Sequence, residues 1–268
     1  MRKLLALILI LLSCASGASA ATRLRLATTT STENSGLLQV LLPPFQKHTG
    51  IEVDVIAVGT GKALTLARRC DVDLVMVHAP KLEKQFVDQG YGIQRRRFMH
   101  NYFALVGPPN DPAMVRQAHT ITDAMRRIAD KQAPFLSRGD RSGTHVKELS
   151  LWAAAGIKPH WPDYREVGQG MGAVLTMAGQ MGAYTLTDLG TFYKYRSKGK
   201  LPLTVLFAKG KLLENPYSVI LVNPRRCPQV KLQAARALAD WVCSPEGQRI
   251  IGQYRAGGQQ LFWPDLVH

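Results

Sequence analysis

LRLATTTSTENSGLLQVLL, residues 24–42, joins a short apolar strand, a run of hydroxyl side chains and an apolar helix in direct succession. The strand covers residues 24–27, the polar loop covers residues 28–35, and the helical pattern runs over residues 37–47. A strand that leads through a polar loop into a helix is the repeating unit of α/β sheets. This stretch therefore predicts the start of an α/β domain.

The same order repeats further along the chain. Residues 51–58 alternate like a strand, residues 63–69 form a short helical pattern, and residues 72–77 form another strand. Strands that alternate with helices predict mostly parallel sheets flanked by helices. Pro43 and Pro44 lie inside the first helical pattern, where we expect proline to kink or end the helix.

Two apolar strands with proline-rich ends predict two crossings between lobes. One covers residues 102–106 and is closed by GPPNDP, residues 107–112. The other covers residues 217–222 and ends at Asn223-Pro224. Proline and glycine at the end of a strand indicate a loop or a linker. A second set of predicted strands and helices lies between the two crossings.

The crossings predict a two-lobed molecule in which the C-terminal helices complete the first lobe. We expect lobe I to contain residues 21–104 and 218–268, and lobe II to contain residues 105–217. The two crossing strands then form the hinges. A chain of 268 residues with 46% hydrophobic residues suits two modest domains.

The N-terminus has the features of a secretory signal peptide over residues 1–20. Arg2 and Lys3 precede an apolar run over residues 4–12, and Ala18-Ser19-Ala20 follows as a cleavage site. The apolar run is too short for a stable membrane helix, which needs about 20 apolar residues. We expect export to the periplasm, with lipid anchoring at Cys14 as the weaker alternative.

The chain is strongly basic, with a formal net charge of +15. The tight basic runs, such as Arg95-Arg96-Arg97, are not interleaved with aromatic residues as in a single-strand binder. An exported protein also rarely meets nucleic acid, so we expect no nucleic-acid partner. The excess of positive charge favours encounter with small anions.

The cysteines allow at most one intramolecular disulfide once Cys14 has left with the signal peptide. Cys70, Cys227 and Cys243 remain. Cys227 and Cys243 flank one predicted helix and are the expected pair, provided that the chain folds back, because the ends of such a helix lie further apart than a bridge allows.

Three polar loops each follow a predicted strand and precede a helix. The first contains Thr28 to Thr32, the second is Val58-Gly59-Thr60-Gly61-Lys62, and the third covers residues 137–144. The start of a helix offers free backbone N–H groups to anions, and glycine allows close approach of the ligand. Although each loop alone could be a simple helix cap, three of them predict one composite anion site beyond the carboxyl ends of the strands.

The third loop carries the strongest signal. Arg138 can make a bidentate, charge-assisted contact with an oxyanion. Asp140 would repel a dianion, so we interpret it as the partner that orients Arg138. The chain has no zinc-protease histidine pair, no nucleophile elbow and no phosphate-binding Walker run, and His145 is expected on the surface of a first helical turn. We therefore expect a binding protein and not an enzyme.

Several motifs in order resemble those of the type II periplasmic binding proteins, specifically the tungstate-binding subunits of ABC transporters. The motifs are LATTTS (26–31), AVGTG (57–61), SRGDRSGT (137–144), GQGMGA (168–173), GAYTLTD (182–188), NPY (215–217) and GQQLF (258–262). The resemblance implies two α/β lobes around a cleft that holds the anion. It further implies an ABC permease in the inner membrane as partner, no cofactor and a monomer.

The resemblance also implies a set of ligand-binding residues. They are Thr29, Thr30, Ser31, Gly59, Thr60, Gly61, Arg138, Ser142, Gly143, Thr144, Gly170, Met171 and Tyr184. Gly170 could equally be a tight helix start, and Tyr184 a core aromatic residue.

The chemistry of the loops helps to choose the anion. Phosphate keeps a proton near neutral pH and needs a buried acceptor, whereas tungstate and molybdate are unprotonated dianions that need only donors. Glu33 is the only acid in the first two loops, which favours a metal oxyanion. Tungstate over molybdate rests on the resemblance alone, and binding of phosphate or sulfate, or a sensing role for a signalling partner, stays open as an alternative.

Overall fold

The computed structural model describes residues 22–199 and 201–266. The predicted signal peptide, including Cys14, lies outside the described residues. Within them, no helix is both long enough and apolar enough to span a bilayer.

Strands and helices alternate along most of the chain. The strands are β1 (Arg23–Thr29), β2 (Glu52–Val58), β3 (Leu74–Val77), β4 (Gly92–Gly107), β5 (Phe135–Ser137), β6 (Tyr164–Glu166), β7 (Thr185–Asp188), β8 (Thr204–Phe207), β9 (Glu214–Val222), β10 (Arg255–Ala256), β11 (Gln259–Gln260) and β12 (Trp263–Pro264). The α-helices are α1 (Thr30–Ser35), α2 (Leu38–Thr49), α3 (Thr60–Arg68), α4 (Pro80–Asp88), α5 (Ile121–Asp130), α6 (Gly143–Ala154), α7 (Met171–Met181), α8 (Leu189–Ser197), α9 (Leu232–Cys243) and α10 (Pro245–Gln253). The predicted α/β class is confirmed.

The main sheet is mixed, whereas the sequence predicted mostly parallel sheets. β2 and β3 lie parallel on either side of β1. β9 runs antiparallel to β3 and to β4, and β4 also pairs in antiparallel fashion with β7, β8 and β12. The difference arises because β9 lies between β3 and β4 in the sheet and runs antiparallel to both of them.

β4 passes from one set of strands to another. Its first part, from Gly92 to Tyr102, pairs with β9. Its last part pairs with β7 and β8, starting at Phe103. The sequence predicted this strand only from Tyr102 onward, because the three consecutive arginines before it break the apolar pattern.

The buried apolar side chains fall into clusters that divide the chain in the same way. Two clusters contain buried residues between Leu24 and Met99 and between Tyr217 and Phe262. Two others contain buried residues between Phe103 and Leu213. The part of the chain between Phe103 and Leu213 thus has cores of its own, separate from those of the segments before and after it.

The two prolines neither end nor interrupt α2, which continues to Thr49. Proline at 43 and 44 removes backbone hydrogen bonds to the carbonyls of Gln39 and Val40, four residues earlier. Both of these residues are exposed, so water can satisfy the carbonyls. The buried face of the helix, with Leu41 and Phe45, keeps its packing.

The disulfide joins Cys70 to Cys227, with 5.4 Å between their Cα atoms. The expected pairing of Cys227 with Cys243 is wrong, and Cys243 forms no disulfide with any cysteine that the structure describes. α9 lies between these two cysteines, and its 12 residues at about 1.5 Å each hold the ends further apart than a bridge can span. Cys70, by contrast, directly follows α3, which packs in the same core as Cys227.

We predict that replacing both Cys70 and Cys227 with serine lowers the free energy of unfolding by about 3–5 kcal/mol, because the bridge closes a long loop. Urea denaturation monitored by circular dichroism measures the change. Cys243→Ser is the matched control and is expected to alter stability by less than about 1 kcal/mol. A non-reduced peptide map that places Cys243 in the bridge would contradict the assignment.

Candidate functional site

Three helix starts meet at one small cavity. The hydroxyl of Thr29, the N-cap of α1, accepts a hydrogen bond from the N–H of Thr32. Ser142 caps α6 in the same way through the N–H of His145. Gly59 is the N-cap of α3 and contributes no side chain, so the first N–H groups of that helix have no side-chain cap.

The centre of a water-sized sphere can move within only about 10 Å³ of the cavity. This is below the range of about 300–1,000 Å³ that is typical of pockets for larger organic ligands. Its lining consists of Thr29, Thr30, Ser31, Gly59, Thr60, His78, Arg138, Ser142, Gly143 and Thr144. The space suits a compact group of a few atoms.

Four residues of the set inferred from the sequence lie outside this lining. Gly61 is the second residue of α3, and Gly170 and Met171 begin α7. Tyr184 is buried, and its hydroxyl donates to Asp111 Oδ1 at 2.9 Å and accepts from the Ala113 N–H at 2.8 Å. The structure brings the other nine residues of the set together.

Among the described residues, two donor atoms are buried at the cavity without a hydrogen-bond partner. Arg138 is 5% exposed and Thr60 is 1% exposed. Within the described part of the chain, Arg138 Nε and Thr60 Oγ1 have no hydrogen-bond partner. Buried polar groups are nearly always hydrogen-bonded in folded proteins, so a pair of unpartnered donors in one cavity points to a ligand that accepts hydrogen bonds.

Asp140 orients Arg138, as the sequence predicted. Its Oδ2 accepts from the Arg138 guanidinium, and its Oδ1 accepts from the N–H of Ser142 at 3.0 Å. Burial alone would raise the pKa of Asp140, but the hydrogen bonds from Ser142 and the charge of Arg138 lower it. The carboxylate is therefore ionised at neutral pH and holds the guanidinium without lining the cavity.

His78 is the residue of the lining that sequence reasoning missed. It follows β3 directly, is 5% exposed, and places Nε2 3.1 Å from Ser31 Oγ and 3.1 Å from Thr29 Oγ1. Its Nδ1 lies 3.0 Å from Asn215 Oδ1. Its position after a buried parallel strand was the available signal, because ligands bind beyond the carboxyl ends of such strands.

The electrostatics of the cavity favour an anion. Burial lowers the pKa of His78, an effect that the charge of Asp188 opposes. The imidazole is thus neutral at neutral pH, and the Arg138 guanidinium is the charged group of the lining. Among the described residues, no carboxylate lines the cavity, and no group of three or more His, Cys, Asp or Glu side chains is placed to hold a metal ion.

The sequence matches the family model of the PBP superfamily domain over residues 15–246. The chain belongs to this superfamily. A curated member, the tungstate-binding protein TupA of Peptoclostridium acidaminophilum, is 44% identical over 90% of this chain and 85% of its own length. Solved structures show that the similarity includes the fold.

Two solved structures are similar to this chain over most of its length. The tungstate ABC transporter structure from Geobacter sulfurreducens is 52% identical, covers 87% of this chain and 98% of its own, and superimposes with a TM-score of 0.81. The tungstate-binding protein TupA from Desulfovibrio alaskensis G20 is 46% identical, covers 91% of this chain and 99% of its own, and has a TM-score of 0.80. The expected periplasmic binding protein fold is confirmed.

We predict that Thr60→Val leaves the free energy of unfolding of the ligand-free protein unchanged or raises it slightly, because it removes a buried hydroxyl without a partner. Thr28→Val is the matched control. Thr28 is equally buried, but its hydroxyl donates to the Met76 carbonyl at 2.9 Å, so its loss is expected to cost about 1 kcal/mol. Chemical denaturation of both variants makes the comparison. Equal destabilisation by the two substitutions would show that Thr60 is satisfied within the protein.

Proposed function

We propose that this protein is the solute-binding subunit of an ABC importer that captures a tetrahedral oxyanion, foremost tungstate, and delivers it to a membrane permease. The observation that carries the proposal is a small, carboxylate-free cavity into which buried donors from separate loops converge. Relatives that are similar over nearly the whole chain include tungstate-binding proteins and a tungstate ABC transporter structure.

The donor set matches an unprotonated dianion. Arg138 can offer Nε to one ligand oxygen, while the hydroxyls of Thr30, Thr60 and Thr144 and the N–H groups at the starts of α3 and α6 can serve the others. A protonated oxyanion such as phosphate presents one donor of its own and requires an acceptor. Because no carboxylate lines the cavity among the described residues, the site favours tungstate or molybdate over phosphate.

The contact between Ser31 and His78 suggests an alternative function, in which the two residues act as part of an enzyme active site. A serine hydroxyl 3.1 Å from an imidazole resembles a nucleophile and its general base. The cavity has room for one small group but not for a substrate together with its leaving group. The relatives are likewise transport proteins and not enzymes.

We propose that the anion is held between two lobes. Lobe I comprises residues 21–104 and 218–268 and supplies Thr29 to Ser31, Gly59, Thr60 and His78. Lobe II comprises residues 105–217 and supplies Arg138 and Ser142 to Thr144. The separate cores on either side of β4 and β9 support this division and make these strands the hinges of closure.

The setting of the protein follows from its role in import. Solute-binding subunits of ABC importers work outside the cytoplasm, and we propose that residues 1–20 direct export to the periplasm. The Cys70–Cys227 disulfide is consistent with an oxidising compartment. We propose that the protein acts as a monomer, with the permease as partner and the oxyanion as cargo, not as a cofactor.

Calorimetric titration of the mature protein with tungstate, molybdate, sulfate and phosphate tests the function. We expect tight binding of tungstate and weak or undetectable binding of phosphate. Binding of phosphate with no heat from tungstate would overturn the proposal.

Arg138→Ala is expected to weaken tungstate binding by about thirtyfold or more, since losing a buried charged hydrogen-bond partner costs about 2–5 kcal/mol. Arg138→Lys keeps the positive charge but loses the planar guanidinium, so we expect its affinity for tungstate to lie between those of the wild type and Arg138→Ala. The control is Arg165→Ala, because Arg165 is half-exposed and pairs with Asp163 outside the cavity. Thermal unfolding establishes that each variant is folded, and unchanged affinity of folded Arg138→Ala would show that the site is misplaced.

A further inference from the structure

A chain of buried polar side chains connects the anion cavity to the hinge strands. His78 contacts Asn215 near the start of β9, and Asn215 Nδ2 donates to Asn101 Oδ1 on β4 at 2.7 Å. The Tyr217 hydroxyl accepts from both asparagine side chains at 3.3 Å, and its ring stacks on His78 with 4.6 Å between centroids. His78, Asn101, Asn215 and Tyr217 are at most 5% exposed.

This chain fixes which nitrogen of neutral His78 carries the proton. The Asn215 Oδ1 can only accept, so Nδ1 of His78 must donate to it. Nε2 is then an acceptor and takes a hydrogen from the hydroxyl of Thr29 or Ser31. A hydroxyl that donates to Nε2 cannot donate that hydrogen to an anion, so neutral His78 removes one donor from the site.

Protonation of His78 reverses this effect. With hydrogens on both ring nitrogens, Nδ1 still donates to Asn215, and Nε2 donates to the oxygen of Thr29 or Ser31. The hydroxyl hydrogen that neutral His78 had accepted is then released and can be donated to the ligand. The imidazolium also places a positive charge against the cavity, where a dianion stabilises it.

We propose that His78 takes up a proton from solvent when the dianion binds, so that anion capture and protonation of the imidazole are coupled. The inference rests on the proposed oxyanion-binding function and deepens it. It makes His78 a positioning residue that sets the donor character of the Thr29 and Ser31 hydroxyls, and it favours ligands that carry no proton of their own.

The charged and titratable groups around His78 permit this coupling. Arg138 lowers the pKa of His78 from the far side of the cavity, and Asp188 at the start of α8 raises it, but burial is the largest effect and keeps the ring neutral without ligand. Burial also raises the pKa of Tyr217 well above its usual value, so Tyr217 stays neutral. Glu83 on α4, which accepts from the N–H of Ala79, is paired with Arg95.

The direction of the pH dependence follows by linkage. The pKa of His78 is lowered in the free protein, and the dianion raises it in the complex. The gain in affinity is complete below the free-state pKa and is lost as the pH rises through the pKa of the complex. Between these two values, affinity rises by up to about tenfold for each unit of falling pH.

Isothermal titration with tungstate at about pH 7, in buffers of different ionisation enthalpy, counts the protons taken up. The wild-type protein is expected to take up a proton on binding. His78→Gln keeps a polar group that cannot titrate in this range, and it is expected to take up none and to bind with nearly constant affinity between about pH 6 and about pH 8. His160→Gln, at an exposed histidine outside the cavity, should behave like the wild type.

The outcomes separate this inference from the proposed function. Tight tungstate binding by the wild type with no proton uptake, or uptake that persists in His78→Gln, would overturn the coupling and leave the proposed function standing. Failure of the wild type to bind tungstate at any pH would overturn both.

A measurement on the wild-type chain avoids reliance on a variant that fails to fold. Nitrogen NMR of the histidine-labelled protein at neutral pH is expected to show His78 with one bare ring nitrogen in the free state and two protonated nitrogens with tungstate bound. A bare nitrogen that persists in the complex would contradict the proposal.

Discussion

The site concentrates hydrogen-bond donors in one small cavity, and none of the described residues that line this cavity is a carboxylate. α3 and α6 point their N-termini at the cavity, Arg138 is buried beside them, and Thr60 brings a hydroxyl without a partner. Such an arrangement is unfavourable in the absence of an acceptor, because each unpartnered buried donor loses its hydration. The packing of the rest of the protein offsets this unfavourable free energy and keeps the donors in place.

The position of each donor follows from the strand before it. β1 and β2 run parallel and deliver Thr29 and Gly59 to the same edge of the sheet, and β3 delivers His78 beside them. β5 delivers Arg138 from the part of the chain that has its own core. Asp140 balances the Arg138 charge while staying out of the lining, so the positive charge is held without being cancelled where the anion binds.

The sequence predicted the donor loops well, because hydroxyl, glycine and arginine side chains at helix starts form local patterns. It could not predict what depends on tertiary pairing. His78 is chemically ambiguous until Asn215, more than a hundred residues away, fixes its tautomer. The disulfide partner of Cys227 likewise depends on which residues share a core, and the sequence does not show this locally. The mixed sheet was missed because the arginine-rich first half of β4 has no apolar pattern that would predict a strand.

The central claim is that a dianion sits among donors contributed by both parts of the chain. A crystal structure of the protein grown with tungstate, with anomalous data at a tungsten absorption edge, tests it most directly. We expect a single strong anomalous peak in the cavity, with ligand oxygens within hydrogen-bond distance of Thr60 Oγ1, Arg138 Nε and the N–H groups of Gly143 and Thr144. A peak elsewhere on the protein, with this cavity containing only water, would contradict it.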